Sequence, residues 1–246
     1  KKVDVVLLET GMGGRLENVL VTGPLGKPVN AVYGILEPLT SNDKKTAIIE
    51  MSAAAGITLV DEKDRNPLNT TTYGVGEIIK DAIFKGCRHF IVGIGGSATN
   101  DGGIGMLQAL GYGFHNKNGM PVLFGANGLK ELKSITDEEV IPELKECTFR
   151  IACDVNNTLC GALGCSAVFG PQKGATPTMI MCMDRWLSNY AALCKEKYPN
   201  ADKDFPGTGA AGGLGFAFLT FTNAVLESGI KIVLEETKLE SYVKGA

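Results

Sequence analysis

The sequence has little of the chemistry on which common catalytic motifs depend. Its 246 residues include one tryptophan and two histidines, His89 and His115. It contains no H-E-x-x-H, no G-x-S-x-G and no G-x-x-x-x-G-K-[ST], which excludes zincins, nucleophile-elbow hydrolases and P-loop NTPases. His89 stands in an apolar stretch, a position that favours a core histidine over a catalyst.

Disulfide, nucleic-acid and membrane signals are also missing. The seven cysteines form an odd set without a C-x-x-C pair, so we expect core residues rather than a disulfide framework or a zinc ribbon. A net charge of -3 without a basic run lacks the footprint of a nucleic-acid binder. The first apolar run is too short for a signal peptide. The uncharged segment 207–226 is glycine-rich, which favours a loop and a buried helix over a membrane span. We therefore expect a cytoplasmic protein.

Glycine is abundant instead: 32 of the 246 residues are glycine, about 13% against a usual share of ~7%. The pattern between the glycines predicts an α/β fold with a mixed sheet, which has a central parallel part and an antiparallel meander. Strands at 17–21, 29–35 and 46–51 would form the meander, and the uncharged run 89–94 would lie at the centre of the parallel part. We divide the chain into an atypical N-terminal strand and glycine loop, residues 1–16, and one α/β domain, residues 17–246.

The remaining predicted elements follow from helix caps and apolar periodicity. Helices are expected at 72–86 with Thr72 as N-cap, at 103–110, and from Pro177 to about residue 197 with Thr176 as N-cap; further strands are expected at 5–8, 146–153 and 230–234, and an amphipathic turn at 238–243.

The first glycine-rich loop, residues 93–103, lies between a predicted buried strand and a helix. Free backbone N–H groups at such a junction bind phosphate or carboxylate, although glycine can also merely permit a tight turn. Asp101 can orient an acceptor hydroxyl, take its proton or hold a metal, or it can simply cap the helix. No acidic residue between Asp101 and Glu131 is placed to bind a ribose, which disfavours a nicotinamide cofactor. The other candidates for substrate or phosphate contact here are Gly95, Gly96, Ser97, Thr99, Asn100 and Gly102.

Two further segments carry candidate residues. Asp154 and Asn156 follow the strand predicted at 146–153, where they suit magnesium or an Asx-turn, and Asp154 is the second catalytic candidate. Lys173 lies in a turn and can reach an anionic group or remain solvated. A third glycine-rich loop at 207–215 matches G-x-G-x-x-G, but no strand precedes it, so the dinucleotide context fails. Its candidates for anion binding, or alternatively for close helix packing, are Gly209, Gly212 and Gly213.

Six motifs in a fixed order resemble the type I glycerate kinase family. They are V-T-G-P-L-G at 21–26, N-P-L-x-T-T-x-Y-G at 66–74, G-I-G-G-S-A-T-N-D-G-G at 93–103, C-D-V-N-N at 153–157, F-G-P-Q-K-G-A at 169–175 and G-A-A-G-G-L-G at 209–215. The resemblance covers about residues 14–239 and mainly the family's inserted α/β domain. It implies transfer of the γ-phosphoryl group of ATP to D-glycerate with Mg²⁺, in a cleft between that domain and a Rossmann-like domain.

The departures from the family pattern define the alternatives. The family's P-D-S-F-K, A-D-G-G-E-G-T and G-E-G-x-x-D motifs are absent, which implies an incomplete or weakly active kinase, or a catalytically silent module that keeps the fold. Residues 1–16 look like a segment of folylpolyglutamate synthase, in which the residue matching Glu9 helps to hold magnesium. That similarity implies a third possibility, an ATP-dependent ligase-like protein. The expected partners are D-glycerate and a nucleotide.

Overall fold

A computed structural model of the chain describes residues 14–38 and 43–238, which build one six-stranded sheet and a separate two-stranded sheet. The strands are Gly14–Thr22 (β1), Pro28–Leu36 (β2), Lys45–Glu50 (β3), Cys87–Gly93 (β4), Gly113–His115 (β5), Ser134–Thr136 (β6), Thr148–Ala152 (β7) and Ala224–Glu227 (β8). The α-helices are Ser52–Ala55 (α1), Tyr73–Phe84 (α2), Ile104–Ala109 (α3), Ala126–Glu131 (α4), Cys165–Phe169 (α5), Pro177–Lys197 (α6), Ala210–Phe221 (α7) and Gly229–Glu236 (α8). Short 3₁₀ turns occur at Ile57–Leu59, Glu62–Asp64, Pro142–Glu146 and Pro171–Lys173.

The large sheet changes from antiparallel to parallel pairing at β3. Its order is β1-β2-β3-β4-β7-β8, with antiparallel pairing from β1 to β3 and parallel pairing from β3 to β8. This confirms the predicted α/β fold with a meander and a central parallel part. The strand predicted at 89–94 is β4, and Phe90, Ile91 and Val92 are buried between β3 and β7, as expected.

Alternate residues of the central strands face two different layers. Phe90 and Val92 belong to the main core, which also contains apolar residues of α2, α3, α6 and α7. Ile91 faces the other way and packs with Leu36, Ile48 and Ile232 of α8. Both faces of a parallel sheet must be covered, and among the described residues α8 is the helix that contributes to this second cluster.

The strand predicted at 230–234 is wrong, because these residues lie in helix α8. The last strand is β8, which precedes the predicted position and pairs with β7 in parallel. The helical turn directs Ile232 into the second cluster and brings Glu235 and Glu236 to the guanidinium of Arg150 on β7. A short run of aliphatic residues is compatible with either a strand or a helix, and here the tertiary packing decides in favour of the helix.

His89 is exposed, so the expectation of a core histidine is also wrong. It lies in the first part of β4, between the half-buried Arg88 and the buried Phe90, and its Nδ1 is 2.8 Å from the hydroxyl oxygen of Thr148. The cap at Thr176 is confirmed, since its hydroxyl accepts a hydrogen bond from the backbone N–H of Met179. The strand predicted at 5–8 lies outside the described residues, as does nearly all of the turn at 238–243.

All seven cysteines are free thiols, in agreement with the absence of a disulfide framework. Cys87, Cys147, Cys165 and Cys194 are buried, and the other three are partly buried. Within residues 14–38 and 43–238, no helix has the length and apolar character required to cross a membrane. The segment 207–226 contains instead the end of a loop, helix α7 and the start of β8, as expected for a glycine loop that leads into a buried helix.

Substitutions in helix α8 should affect stability in a way that distinguishes a helix from a strand. Ile232 is 0% exposed and Ile230 is 63% exposed, although both would lie on one face of a strand. We expect Ile232→Ala to lower the free energy of unfolding by about 2–4 kcal/mol and Ile230→Ala by less than about 0.5 kcal/mol, measured by urea denaturation. Equal losses for the two variants would contradict the helix.

Candidate functional site

A cleft of about 730 Å³ opens at the carboxyl ends of β3, β4 and β7. In open α/β sheets, ligands bind beyond the carboxyl ends of the strands, so this cleft is the candidate functional site. Five of the residues singled out by sequence line it: Gly95, Gly96, Ser97, Asp154 and Lys173.

The loop that follows β4 presents backbone donors at the cleft. Gly96 has a left-handed backbone with φ +70°, and its carbonyl accepts from Ile57, while the N–H of Ala98 donates to Ala55. The N–H groups of Gly95, Gly96 and Ser97 take part in none of the hydrogen bonds found among the described residues. Successive free N–H groups around a left-handed residue form a concave anion-binding site. We call these three residues the 95–97 nest.

Lys173 places a buried positive charge beside the nest. The side chain is 2% exposed, and its Nζ donates to the hydroxyl oxygen of Ser97 at 2.7 Å and to the carbonyl oxygen of Thr99 at 2.6 Å. An ammonium group has three N–H donors, so one remains for a ligand. Burial lowers the pKa of Lys173 to about 8, and the electrostatic influence of Cys165 and Asp101 offsets part of this lowering. The group is therefore mostly protonated at neutral pH, and the solvated-turn alternative is wrong.

Asp101 lies beneath the loop and is not among the residues that line the cleft. It is fully buried; Oδ2 accepts from the backbone N–H and the hydroxyl of Thr72, and Oδ1 accepts from the N–H of Gly103. Burial raises the pKa of Asp101, and these hydrogen bonds, which lower the pKa, offset only part of that rise. The Thr72 hydroxyl also accepts from the N–H of Met106, so it links α2 and α3 instead of capping α2 as predicted. A catalytic role for Asp101 stays a prediction, and these contacts favour the structural alternative.

The other polar residues of the loop are also buried below it. The Nδ2 of Asn100 donates to the hydroxyl oxygen of Ser166 at 2.8 Å, and the N–H of Gly102 donates to the carbonyl of Gly212 at 3.0 Å. Thr99 meets the site through its carbonyl, which accepts from Lys173. The structure therefore brings the front of the loop, residues 95–97, into the cleft and leaves Thr99, Asn100 and Gly102 outside its lining.

The third glycine-rich loop packs against the first one rather than lining the cleft with its glycines. A Cβ on Gly212 would collide with the carbonyl oxygen of Thr99, and a Cβ on Gly213 would lie 2.8 Å from the Cα of Gly102. Gly209 similarly faces the carbonyl of Thr158. These contacts favour close packing over anion binding. Between them, Ala211 has a left-handed backbone with φ 52° and lines the cleft.

Asp154 lines the cleft, whereas Asn156 is exposed and is not part of its lining. The Oδ1 of Asp154 accepts from the N–H of Gly229 at the start of α8 at 3.1 Å. Within the part of the chain that the structure describes, no group of three or more His, Cys, Asp or Glu residues is arranged to hold a metal. Because Mg²⁺ usually takes one or two protein carboxylates together with substrate phosphates, Asp154 fits a nucleotide-bound magnesium and not a cage made of protein alone.

Several lining residues were missed. Glu50 at the end of β3 and Ser52 lie outside the motifs, whereas Cys153, Gln172 and Ala211 lie inside three of them but were not singled out. The available signal for Glu50 was its place near the end of a predicted strand; the parallel pairing of β3 with β4, which brings it to the same edge as the first loop, is known only from the structure.

The fold and the cleft define an α/β protein with a candidate anion-binding site at the carboxyl edge of its parallel strands. A sequence model of the glycerate kinase family matches residues 4–246, and the chain belongs to this family. The expected resemblance is thereby confirmed, over a longer range than the motifs suggested. The match begins inside residues 1–16, and the similarity of that segment to folylpolyglutamate synthase has no support from the comparisons. The division at residue 16 stays a prediction.

Named relatives and one solved structure agree with this assignment. The chain is 47% identical over 233 residues to the glycerate kinase of Haemophilus influenzae, covering 95% of this chain and 60% of that protein. It is 48% identical over 230 residues to the glycerate 2-kinase of Escherichia coli, covering 94% and 59%. A solved structure from Salmonella typhimurium LT2, described as a glycerate kinase 2, gives a TM-score of 0.89 at 46% identity, covering 96% of this chain and 61% of that one. The chain thus spans about three fifths of the length of these relatives.

The buried carboxylate of Asp101 predicts a large stability cost for a near-isosteric change. Asp101→Asn replaces one acceptor with an NH₂ group, which faces an N–H donor of either Thr72 or Gly103. We expect a loss of about 1–3 kcal/mol in the free energy of unfolding. Asp204→Asn, at an exposed carboxylate paired with Lys203, is the control and should change it by less than about 0.5 kcal/mol. Equal stability of the two variants would contradict the buried network.

The lowered pKa of Lys173 predicts a pH-dependent stability. Below about pH 8 the side chain is protonated in both the folded and the unfolded chain, and between about 8 and 10.5 the unfolded chain holds more protons. The stability contributed by this group therefore rises with pH over that range. The difference in free energy of unfolding between the wild type and Lys173→Met should rise by about 1 kcal/mol per pH unit. A difference that stays constant from pH 7 to pH 10 would refute the shift.

Proposed function

We propose that the protein is a glycerate kinase, which transfers the γ-phosphoryl group of ATP to D-glycerate. The observation that carries the proposal is the pairing of the 95–97 nest with the buried ammonium of Lys173 in one cleft. Backbone N–H groups and an ammonium complement a carboxylate or a phosphate, and glycerate is a carboxylate. The family and the names of the relatives support the choice of substrate.

Phosphoryl transfer depends mainly on positioning and on neutralising the charge of the moving group. We assign the substrate carboxylate to the nest and to Lys173, so that a hydroxyl of the substrate faces the open part of the cleft. The nucleotide would then enter from the side of Asp154, whose carboxylate is exposed and can join the nucleotide phosphates in holding Mg²⁺. Magnesium would supply charge neutralisation there.

Asp101 has a positioning role in this proposal instead of a catalytic one. Its contacts with Thr72 and Gly103 fix the far end of the loop that carries the nest. A cytoplasmic location is part of the proposal, and the seven free thiols support it. The comparisons give no support to the expected weak activity, which stays a prediction, and a silent module would appear as binding without turnover.

The proposal is tested by D-glycerate binding and by turnover of the purified chain. We expect calorimetry to detect D-glycerate binding, and we expect ADP release from MgATP to depend on D-glycerate. Lys173→Met should weaken D-glycerate binding by about 10- to 100-fold, because a charge-assisted hydrogen bond is lost.

Lys203→Met is the matched control, because the Lys203 side chain is 42% exposed, is paired with Asp204 and does not line the cleft. It should bind D-glycerate as the wild type does. Absence of D-glycerate binding by the wild type, or an unchanged affinity in a folded Lys173→Met variant, would contradict the proposed function.

A further inference from the structure

Glu50 is a buried acidic residue that lines the cleft. It is the last residue of β3, it is 6% exposed, and it lines the cleft together with the 95–97 nest and Lys173. Each oxygen of a carboxylate can accept more than one hydrogen bond, so this group can accept from a ligand in the cleft as well as from the protein.

The Glu50 carboxylate lies against the backbone of β4. Glu50 stands opposite Gly93 in the parallel register, and a Cβ on Gly93 would lie 2.6 Å from both carboxylate oxygens. The carboxylate therefore lies directly over the Cα of Gly93, two residues before the nest begins. Only glycine leaves room for it in this arrangement.

The other two candidate carboxylates are placed differently. Both oxygens of Asp101 accept hydrogen bonds beneath the loop, outside the lining of the cleft. Asp154 is exposed and accepts from the start of α8. Among these three carboxylates, Glu50 is thus the one that is both buried and at the cleft.

The charges of the site orient a ligand that has one anionic end. The nest and Lys173 attract the anion, whereas the Glu50 carboxylate repels it and offers only hydrogen-bond acceptors. A hydroxyl group is the donor that matches Glu50. A short hydroxy acid complements both the nest and Glu50, whereas an acid without hydroxyl groups makes no hydrogen bond to Glu50.

We propose that Glu50 is a specificity-determining residue, which accepts a hydrogen bond from a hydroxyl of a hydroxy acid whose carboxylate lies at the 95–97 nest. This inference rests on the proposed function and deepens it, because it names the group that selects a hydroxylated acid over a plain one.

The test compares two three-carbon acids in binding assays that need no turnover. Dissociation constants for D-glycerate and for propionate, which lacks both hydroxyls, are measured by calorimetry or ligand-observed NMR. We expect the wild type to prefer D-glycerate by about tenfold or more, since hydrogen bonds to charged groups are strong. Glu50→Met should bring the two affinities within about threefold. Glu50→Gln, which retains a neutral acceptor, should give an intermediate preference.

A second test variant and a control complete the experiment. Gly93→Ala should also reduce the preference, because its Cβ displaces the carboxylate without removing it, and it remains informative if Glu50→Met fails to fold. Glu146→Gln, at an exposed carboxylate paired with Arg88, should bind both acids as the wild type does.

The outcomes distinguish a failure of the Glu50 inference from a failure of the proposed function. A wild-type preference that persists in Glu50→Gln and Gly93→Ala overturns the inference and leaves the proposed function intact. Equal wild-type affinities for the two acids also overturn it, while the anion site stands. If the wild type binds neither acid, the proposed function fails and the inference falls with it.

Discussion

Two buried charges of opposite sign hold the loop between β4 and α3, and the geometry of the cleft depends on them. Asp101 fixes the far end of the loop through Thr72 and Gly103, and Lys173 fixes its middle through Ser97 and the carbonyl of Thr99. Every one of these bonds uses a charged partner, so each is stronger than an ordinary hydrogen bond. The front of the loop can therefore keep backbone donors at the cleft.

The sheet supplies the second requirement, a common edge at which the functional groups meet. Parallel pairing from β3 to β7 brings Glu50, Gly93 and Asp154 to one side of the molecule, although they are far apart in sequence. Glycines permit the close approaches behind this edge, because Gly93 lies under a carboxylate and Gly212 lies against the carbonyl of Thr99. The high glycine content is thus used for backbone contact as well as for turns.

The sequence was sufficient for the meander, for β4 and for the position of the main loop, because each follows from a local pattern, but not for the edge strand β8. The meander and β4 were predicted from apolar runs, and backbone donors for an anion were expected in the loop 93–103 because its glycines follow a buried strand. Tertiary contacts decided the rest. Helix α8 depends on Ile232 and Arg150, and the burial of Asp101 depends on Thr72, which is distant in sequence. Glu50 carries no motif, and only the register of β3 with β4 brings it to the cleft.

The central claim is that the carboxylate of D-glycerate binds at the 95–97 nest and Lys173. A crystal structure of the chain with D-glycerate tests it most directly. We expect carboxylate oxygens within about 3 Å of the Lys173 Nζ and of at least one backbone nitrogen of the nest, with a hydroxyl directed toward Glu50. D-glycerate bound elsewhere, or bound in the cleft with its carboxylate at Asp154 and away from Lys173, would contradict it.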